Sequence, residues 1–397
     1  MKTRNLAAAL VAAGALTLSA CGGPASGGDG GVLTIGAVGP QSGVGAEYGE
    51  QFKKGLELAL AEVNADGGVD VGDGEKVKIE VTYCDDQNDS AKSVVCGRKL
   101  ASEGAQIVVS GTSVASLPIS GFNEQEDFIL LGASQAPELT SQGNGMVVRA
   151  FPDPTTSDPD FAERMHGFLN EQDGVDSVAI MEVNTDLGKS YKELFTEGWE
   201  AAGGTVTGSA PYEIEATDFA PQIQRLLADD PDAIVLTTIC STSAIVVKQA
   251  RQLGFEGPFI NSSACAGGEA LTEFVDADVI GDFYTATFDS SFTEGEGVLP
   301  LIGAFEEEYG AAPTQVSAAM GYLDVHWAAL ALAEAGGVDD LEALRDAFGP
   351  AQAELGDKNV FGLADFDPEN GNSSGILAVG LTSSDNGGVL EKVDVGS

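Results

Sequence analysis

The chain has 397 residues, of which 62 are acidic and 19 are basic (Lys or Arg), giving a formal net charge of −43 at pH 7. Because 43% of its residues are hydrophobic, the chain can bury a substantial core, and its length predicts two or three domains. A surface this negative repels phosphate backbones, so the composition argues against binding of nucleic acid or of anionic lipid.

The N-terminus has the features of a signal peptide. Lys2 and Arg4 precede an apolar run over residues 6–18 that is too short to span a membrane as a helix. The sequence Leu18-Ser19-Ala20-Cys21 then resembles the bacterial lipobox, in which the cysteine is lipidated after cleavage just before it. We therefore expect a signal peptide at residues 1–20, a lipidated Cys21, and a flexible tether over residues 21–31. An ordinary secretory peptide cut after Ala20 is the alternative.

Short apolar runs and amphipathic stretches alternate along the rest of the chain. Strands are predicted at residues 32–38, 77–83, 106–110, 128–131, 178–182, 205–213 and 233–236. Helices are predicted at residues 49–64, 91–103, 189–202 and 219–228. This alternation indicates an α/β fold with parallel sheets, which bind ligands outside the carboxyl ends of their strands.

The turns at those strand ends are rich in Ser, Thr, Gly and Asn. They lack the basic residues and the GK[ST] motif that hold phosphate groups. Hydroxyls and free N–H groups at helix N-termini instead suit one carboxylate or another small polar group. The alternative is that Thr112, Ser113 and Ser134 only cap helices.

Four cysteines remain besides Cys21, an even number that indicates disulfides in an exported protein. Cys84 ends a predicted strand and Cys96 lies in the next helix. Cys240 and Cys265 each follow a strand pattern, and adjacent parallel strands would bring them together. Of the three possible pairings we favour Cys84–Cys96 with Cys240–Cys265, and free buried thiols are the alternative. Without a CxxC motif or clustered histidines, we expect no metal site, and we expect no cofactor.

Several motifs resemble a known family. Residues 35–43 (IGAVGPQSG) and 62–68 (EVNADGG) look like the opening of the leucine/isoleucine/valine-binding proteins, a type I periplasmic-binding family that serves ABC importers. Residues 84–89 (CDDQND), 133–140 (ASQAPELT) and 366–371 (FDPENG) are similar to later motifs of that family. The resemblance runs from about residue 32 almost to the C-terminus.

The resemblance implies two Rossmann-like lobes with parallel sheets, joined by three hinge crossovers and closing on a ligand. The N-terminal lobe would hold residues 32–150 and 288–362, and the C-terminal lobe residues 151–287 and 363–397. In this family's site, Ser113 holds the position of a hydroxyl that binds the carboxylate of an amino acid, and Tyr48 that of an aromatic wall. We expect the first-lobe ligand residues to be Tyr48, Thr112, Ser113, Ala133, Ser134 and Gln135.

The second-lobe half of the site departs from the family pattern. Leu187 takes the place of a tyrosine, Ile239 and Cys240 replace a tyrosine-rich turn, and Ser263 stands where amino-acid binders carry a glutamate. An ammonium group buried without a counter-charge costs several kcal/mol. The resemblance implies a branched-chain or other amino acid as the ligand. The departure at Ser263 makes a small amide, a urea-like compound or an organic acid the alternative.

These features predict an extracytoplasmic substrate-binding lipoprotein of an ABC importer. It would be a monomer that meets the permease subunits and is held at the cell membrane by its lipid anchor only. The alternative function is a serine hydrolase, because Gly111-Thr112-Ser113-Val114-Ala115 resembles a nucleophile elbow. Such an enzyme needs His166 or His326 as its base, and both lie in helical patterns without an indicated serine partner, so we expect no enzyme.

Overall fold

The computed structural model describes residues 31–43, 45–134, 136, 138–152, 160–213, 216–238, 240–261, 265, 267–287, 299–375 and 378–395. The predictions for the signal peptide, Cys21, Gln135, Ile239 and Ser263 therefore lie outside the described residues. For Leu187 the structure describes the backbone but not the side chain.

The first lobe is built on a six-stranded sheet. Its strands are β1 Val32–Gly39, β2 Val69–Asp70, β3 Lys76–Asp85, β4 Ile107–Ser110, β5 Ile129–Gly132 and β6 Val147–Arg149. They lie in the order β2-β3-β1-β4-β5-β6, and only β2 is antiparallel to its neighbour. The intervening helices are α1 Ala46–Asn64, α2 Ser90–Ser102, α3 Ser113–Ser120 and α4 Glu138–Ser141. Strands β4 and β5 are wholly buried, as their short apolar runs predict for the centre of a parallel sheet.

The second lobe is built on a seven-stranded sheet. Its strands are β7 Ser177–Val183, β8 Thr205–Tyr212, β9 Ala233–Leu236, β10 Phe259–Asn261, β11 Asp282–Thr287, β14 Ala378–Ser383 and β15 Leu390–Val393. They lie in the order β15-β14-β11-β10-β9-β7-β8. The helices that precede or connect the strands from β7 to β11 are α5 Phe161–Asp173, α6 Asp186–Ala201, α7 Ala220–Leu227, α8 Cys240–Gln252, α9 Glu269–Thr272 and α10 Ala277–Ile280.

The chain passes between the two sheets three times. After β11 it returns to the first lobe as α11 Leu299–Tyr309, α12 Ser317–Ala335, α13 Leu341–Asp346 and α14 Phe348–Ala353. A 3-10 turn at Gly356–Lys358 and a hairpin of β12 Leu363–Phe366 with β13 Ser373–Gly375 then lead to β14. The predicted two-lobed α/β fold is confirmed. The sheets are mixed rather than all parallel: β2 is antiparallel to β3, and β14 is antiparallel to both β11 and β15. Short turns join β2 to β3 and β14 to β15, as antiparallel neighbours permit.

Helices α1 and α12 of the first lobe pack closely against each other. A Cβ on Gly55 would lie 1.9 Å from the carbonyl oxygen of Ala318, and one on Gly321 would lie 2.3 Å from that of Phe52. Only glycine permits this backbone approach. Between the lobes, the rings of Phe151 and Phe361 meet edge to face with centroids 5.2 Å apart, so residues near the first and third passages share one apolar contact.

Two helices begin one turn earlier than their apolar periodicity predicts. Helix α6 begins at Asp186 rather than Lys189, because the side chain of Thr185 accepts a hydrogen bond from the backbone N–H of Gly188 and caps the helix. Helix α1 likewise begins at Ala46. The predicted site residues Leu187 and Tyr48 therefore lie in first turns of helices rather than in loops.

Both favoured disulfides are present in the structure. Cys84 in β3 is bonded to Cys96 in α2, and Cys240 at the start of α8 is bonded to Cys265 beyond β10. Among the helices of the described residues, none is long and apolar enough to cross a membrane.

Candidate ligand-binding site

Three adjacent strands bring the first-lobe candidates to one edge of the sheet. The register pairs Val38 of β1 with Ser110 of β4, and Ser110 with Gly132 of β5. Neighbouring strands lie about 4.8 Å apart, so the turns that follow these residues lie side by side. We call this the first-lobe ligand edge: residues 39–43 and 45–48, the Thr112–Ser113 turn, and residues 133, 134 and 136.

Ser113 is the exposed hydroxyl of this edge. The Thr112 hydroxyl caps α3 by accepting a hydrogen bond from the Ala115 N–H at 3.2 Å. Ser113 is the first residue of the helix and is exposed to solvent. Of the three residues for which a capping role was the alternative, Thr112 is the one that caps a helix. Ser113 places a hydroxyl beside the positive end of a helix, where a carboxylate is stabilised.

Ser134 shapes the neighbouring turn. Its side chain is fully buried, and its hydroxyl accepts a hydrogen bond from the Ala136 N–H at 3.1 Å. The Ala133 N–H donates to the Ser116 hydroxyl at 3.1 Å, and that hydroxyl lies 2.7 Å from the hydroxyl of Ser110. Two buried serines, Ser110 in β4 and Ser116 in α3, therefore stabilise this turn.

Tyr48 is half-buried in the first turn of α1. Its hydroxyl donates to the sulfur of Met320 at 3.1 Å, and its carbonyl oxygen accepts from the Ser317 hydroxyl at 2.7 Å. Burial and the nearby carboxylate of Asp324 raise the pKa of Tyr48 above its ordinary value, so its ring is neutral. Tyr48 can therefore serve as an uncharged wall.

Asp85 secures the turn between β1 and α1. It accepts hydrogen bonds from the Ser42 hydroxyl at 2.6 Å and from the backbone N–H groups of Gln41 and Gln87 at 2.8 and 3.0 Å. Partial burial opposes ionisation, but these hydrogen bonds together hold the pKa of Asp85 below its usual value. Sequence reasoning noted the acidic motif CDDQND without assigning Asp85 a role.

Arg149 is the other residue that sequence reasoning missed. It ends β6 and is almost fully buried. Its guanidinium donates to the carbonyl oxygens of Ser134 and Ala136 and to the hydroxyl of Thr140. The sequence did offer one signal for Arg149: it is a single arginine at the end of an apolar strand, in a chain with few basic residues. Because it holds backbone carbonyls, its role here is to shape the turn.

The second-lobe ligand edge consists of the residues that follow β7, β9 and β10. The register pairs Met181 with Leu236, and Leu236 with Asn261, so these strand ends are also adjacent. The backbone of Leu187 in the first turn of α6 and Cys240 at the start of α8 both follow strands of this edge. The disulfide from Cys240 to Cys265 joins two of its turns directly.

A buried polar cluster supports the second-lobe edge beneath the disulfide. The hydroxyls of Thr238 and Ser243 are hydrogen-bonded to each other. The backbone N–H of Thr238 points to the side-chain oxygen of Asn261 at 3.4 Å. All three side chains are buried, so the turn after β9 is tied both covalently and by hydrogen bonds to the strand beside it.

A cavity of about 590 Å³ lies elsewhere in the first lobe, between the end of α1, β2, α12 and residues 354–358. There Glu62 accepts hydrogen bonds from Tyr322, His326 and Lys358 at 2.9, 3.0 and 3.3 Å. Glu62 follows Tyr48 by 14 residues of helix, or about 20 Å, so this cavity is separate from the strand-end site.

Neither histidine is placed as the base of a serine hydrolase. His326 is paired with Glu62, far from Ser113. His166 stacks edge-on against Trp199, with ring centroids 4.9 Å apart, and lies beside Asp176 at the amino end of β7. Among the described residues, no group of three or more His, Cys, Asp or Glu side chains is arranged to hold a metal ion. The geometry is that of a two-lobed protein whose strand-end turns are rich in Ser, Thr and Gly, which indicates a binder of small molecules.

Comparison with known proteins agrees with this class. The sequence model of the periplasmic binding protein family matches residues 32–380. The Leu/Ile/Val/Thr-binding protein of Salmonella typhimurium is 26% identical over 236 residues, 59% of this chain and 62% of that protein. The matched chain thus spans less than two thirds of that relative's length. Leu/Ile/Val-binding protein homolog 7 of Brucella melitensis is 26% identical over 357 residues, 86% of each chain.

Solved structures share the fold. The branched-chain amino acid transporter substrate binding protein of Streptococcus pneumoniae, solved with isoleucine, has a TM-score of 0.69 at 22% identity, covering 91% of this chain and 100% of that one. An ABC transporter substrate-binding protein from Sphaerobacter thermophilus has a TM-score of 0.73 at 20% identity, covering 91% and 96%.

The chain therefore belongs to the periplasmic binding protein family, and its resemblance to the leucine/isoleucine/valine-binding type I proteins is confirmed. This is a family of extracytoplasmic substrate-binding proteins, not of enzymes.

Proposed function

We propose that this protein captures a small polar ligand between its two ligand edges and delivers it to an ABC importer. The observation that carries the proposal is the position of Ser113. Its hydroxyl is exposed at the N-terminus of α3, where Thr112 already provides the cap, and it lies on the strand end next to the Ala133 turn. A carboxylate placed there meets a hydroxyl and the positive end of a helix without a basic side chain.

The ligand we favour is a branched-chain or other aliphatic amino acid. The names of the relatives support this choice, since they bind Leu, Ile and Val. A small amide, a urea-like compound or an organic acid is the alternative, because Ser263 stands where amino-acid binders carry a glutamate. A serine hydroxyl can accept a hydrogen bond from an ammonium group but cannot neutralise its charge.

Calorimetry with matched ligands tests this choice. Leucine, isoleucine and valine are titrated beside their 2-oxo acids and primary amides. Binding of the amino acids alone would show that another acid, such as Asp186, supplies the counter-charge. Binding of the oxo acids or the amides alone would support the alternative, and a ligand that binds only the folded state raises the melting temperature. If none of the compounds binds, the proposed ligand class is wrong.

Closure of the lobes is the second part of the proposal. The N-terminal lobe would comprise residues 32–150 and 288–362, and the C-terminal lobe residues 151–287 and 363–397. Ligand contacts to both lobes would favour the closed form that the permease recognises. Small-angle scattering of the monomer should then show a smaller radius of gyration with ligand than without it. An unchanged radius at saturating ligand would contradict hinge closure.

Lipidation of Cys21 is the third part. The lipobox-like sequence and the Gly/Ser tether support a membrane-anchored mature protein. Cys21→Ala should release the protein into the medium or leave it unprocessed. Normal processing and unchanged membrane retention of this variant would rule out the anchor.

A further inference from the structure

The buried guanidinium of Arg149 contacts two parts of the chain that are distant in sequence. On one side it holds Ala133, Ser134 and Ala136, which we call the ligand turn, through the carbonyl oxygens of Ser134 and Ala136, the latter at 3.0 Å. On the other side its Nε donates to the side-chain oxygen of Asn372 at 2.7 Å. Asn372 belongs to the crossover hairpin, residues 363–375, through which the chain passes from the first lobe to β14.

The crossover hairpin is also packed directly against β6. The backbone N–H of Arg149 donates to the carbonyl oxygen of Gly371 at 2.8 Å. Gly371 has a φ of +72°, and a Cβ there would lie 1.8 Å from the carbonyl oxygen of Val147. One residue thus connects the hairpin to the edge strand through its backbone and to the ligand turn through its side chain.

We propose that Arg149 is a positioning residue that couples the ligand turn to the crossover hairpin. The inference rests on the proposed function, since it assigns the ligand turn to the binding site. Arginine suits this role because its planar guanidinium offers five donors in a fixed geometry, so a shift of one partner moves the donors that hold the other. Movement of the hairpin during closure would therefore reach the ligand turn through a single side chain.

Hydrogen exchange in the ligand-free protein tests the coupling without assuming any ligand. Asn372→Ala removes the acceptor of Arg149 Nε and leaves the hairpin backbone bonds in place. Asn359→Ala is the matched control, because the side chain of Asn359 hydrogen-bonds to the backbone of Leu363 at the base of the same hairpin. We expect exchange of the backbone amides in residues 133–141 to rise about three- to tenfold in Asn372→Ala, and to stay unchanged in Asn359→Ala.

A double-mutant cycle identifies the route. In an Arg149→Met background, Asn372→Ala should add nothing to exchange in the ligand turn, because the connecting side chain is already absent. Should Arg149→Met fail to fold, the comparison of Asn372→Ala with Asn359→Ala decides alone. Equal effects of those two variants, or no effect of Asn372→Ala, would overturn the proposal.

A binding measurement separates this inference from the proposed function. With L-isoleucine as the probe, Asn372→Ala should raise the dissociation constant about three- to tenfold relative to Asn359→Ala. If the wild-type protein does not bind L-isoleucine, the amino-acid proposal fails, and the exchange experiment still decides whether Arg149 couples the two segments. If the wild-type protein binds and both variants bind equally well, the coupling does not reach the site.

Discussion

The two ligand edges of this protein are held in different ways. In the part of the first-lobe edge that the structure describes, hydrogen bonds hold the turns: Asp85 secures the turn after β1, and Arg149 with two buried serines secures the turn after β5. The second-lobe edge is joined covalently by Cys240 and Cys265. Hydrogen bonds can be exchanged as lobes move, whereas a disulfide fixes the spacing of two turns. If the lobes close on a ligand as proposed, we expect the first edge to adjust to the ligand and the second to keep its shape.

Removal of each disulfide in turn is the strongest way to test this difference. The bridges close loops with sequence separations of 12 and 25 residues, so each should contribute about 3 kcal/mol to the free energy of unfolding. We expect Cys240→Ala/Cys265→Ala and Cys84→Ala/Cys96→Ala to lose similar stability in denaturant titrations. Only the first pair should also weaken ligand binding, by at least about fivefold, because its two turns would have to be ordered on binding.

Cys84→Ala/Cys96→Ala is the control for a general loss of stability. Its bridge joins strand β3 to helix α2 and does not connect two turns of a ligand edge. Equal losses of affinity in the two double variants would mean that general stability, rather than the local tie, sets the affinity. In that case the contrast between the edges would have no functional meaning.

Acid should lower the stability of the protein through His326, which lies at the cavity beside Glu62 and not at the ligand edge. Burial lowers the pKa of His326 to about 4, although the neighbouring Glu62 opposes this. An unfolded histidine titrates near 6.5, so below that pH the unfolded chain binds the proton more readily and stability falls towards pH 4. This group should cost about 2 kcal/mol between pH 7 and pH 5.

The measurement is the free energy of unfolding at pH 7 and pH 5 for the wild type and His326→Gln. The wild type should lose more stability than the variant over this range, while the two proteins keep equal ligand affinity at pH 7. Parallel pH profiles of stability would show that His326 is not the responsible group.

Ser113→Ala tests the adjustable edge directly. A hydrogen bond to a charged group contributes about 1.5–3 kcal/mol, so affinity for a carboxylate ligand should fall about tenfold or more. The melting temperature without ligand should not change, because the hydroxyl is exposed and Thr112 caps the helix. Ser102→Ala, which removes an exposed hydroxyl bonded to the carbonyl of Lys99, is the control and should bind normally. Unchanged affinity in Ser113→Ala would remove the main support for a carboxylate at this edge.

The sequence predicted the fold better than the site. The alternation of predicted strands and helices indicated the two sheets, because a buried strand leaves a short apolar run that can be recognised in the local sequence. The sequence pattern did not predict the antiparallel strands β14 and β15 or the hairpin before them. These segments are short and mix polar with apolar residues, so their periodicity is weak. The predicted start of α6 was late because Thr185, a polar cap, precedes the apolar pattern.

The residues that hold the site were harder to predict than those that could contact a ligand. Ser113 and Tyr48 stand in motifs that resemble the family, so their positions could be proposed from the sequence. Arg149 and Asp85 act through partners 223 and 43–44 residues away in sequence. Such contacts depend on sheet order and on the path of the third passage, which local patterns do not report. The network behind the edge therefore became visible only in the structure.

Asp85→Asn should have the smallest effect and tests whether the turn after β1 belongs to the adjustable edge. Asparagine keeps the size of the side chain, and its one carbonyl oxygen can still accept from the backbone N–H groups of Gln41 and Gln87, but its amide nitrogen cannot accept from the Ser42 hydroxyl and the side chain carries no charge. We expect affinity to fall about threefold at pH 7. The pKa of Asp85 is below its usual value, so its stabilising contribution is present above about pH 4 and is lost as pH falls through the folded pKa. The difference in melting temperature between the wild type and Asp85→Asn should therefore be constant from pH 7 to pH 5 and narrow as the pH falls below about 4. A loss of stability without any loss of affinity would confine the ligand edge to the Ser113 and Ala133 turns, the second of which is held by Arg149 and by the buried Ser110 and Ser116.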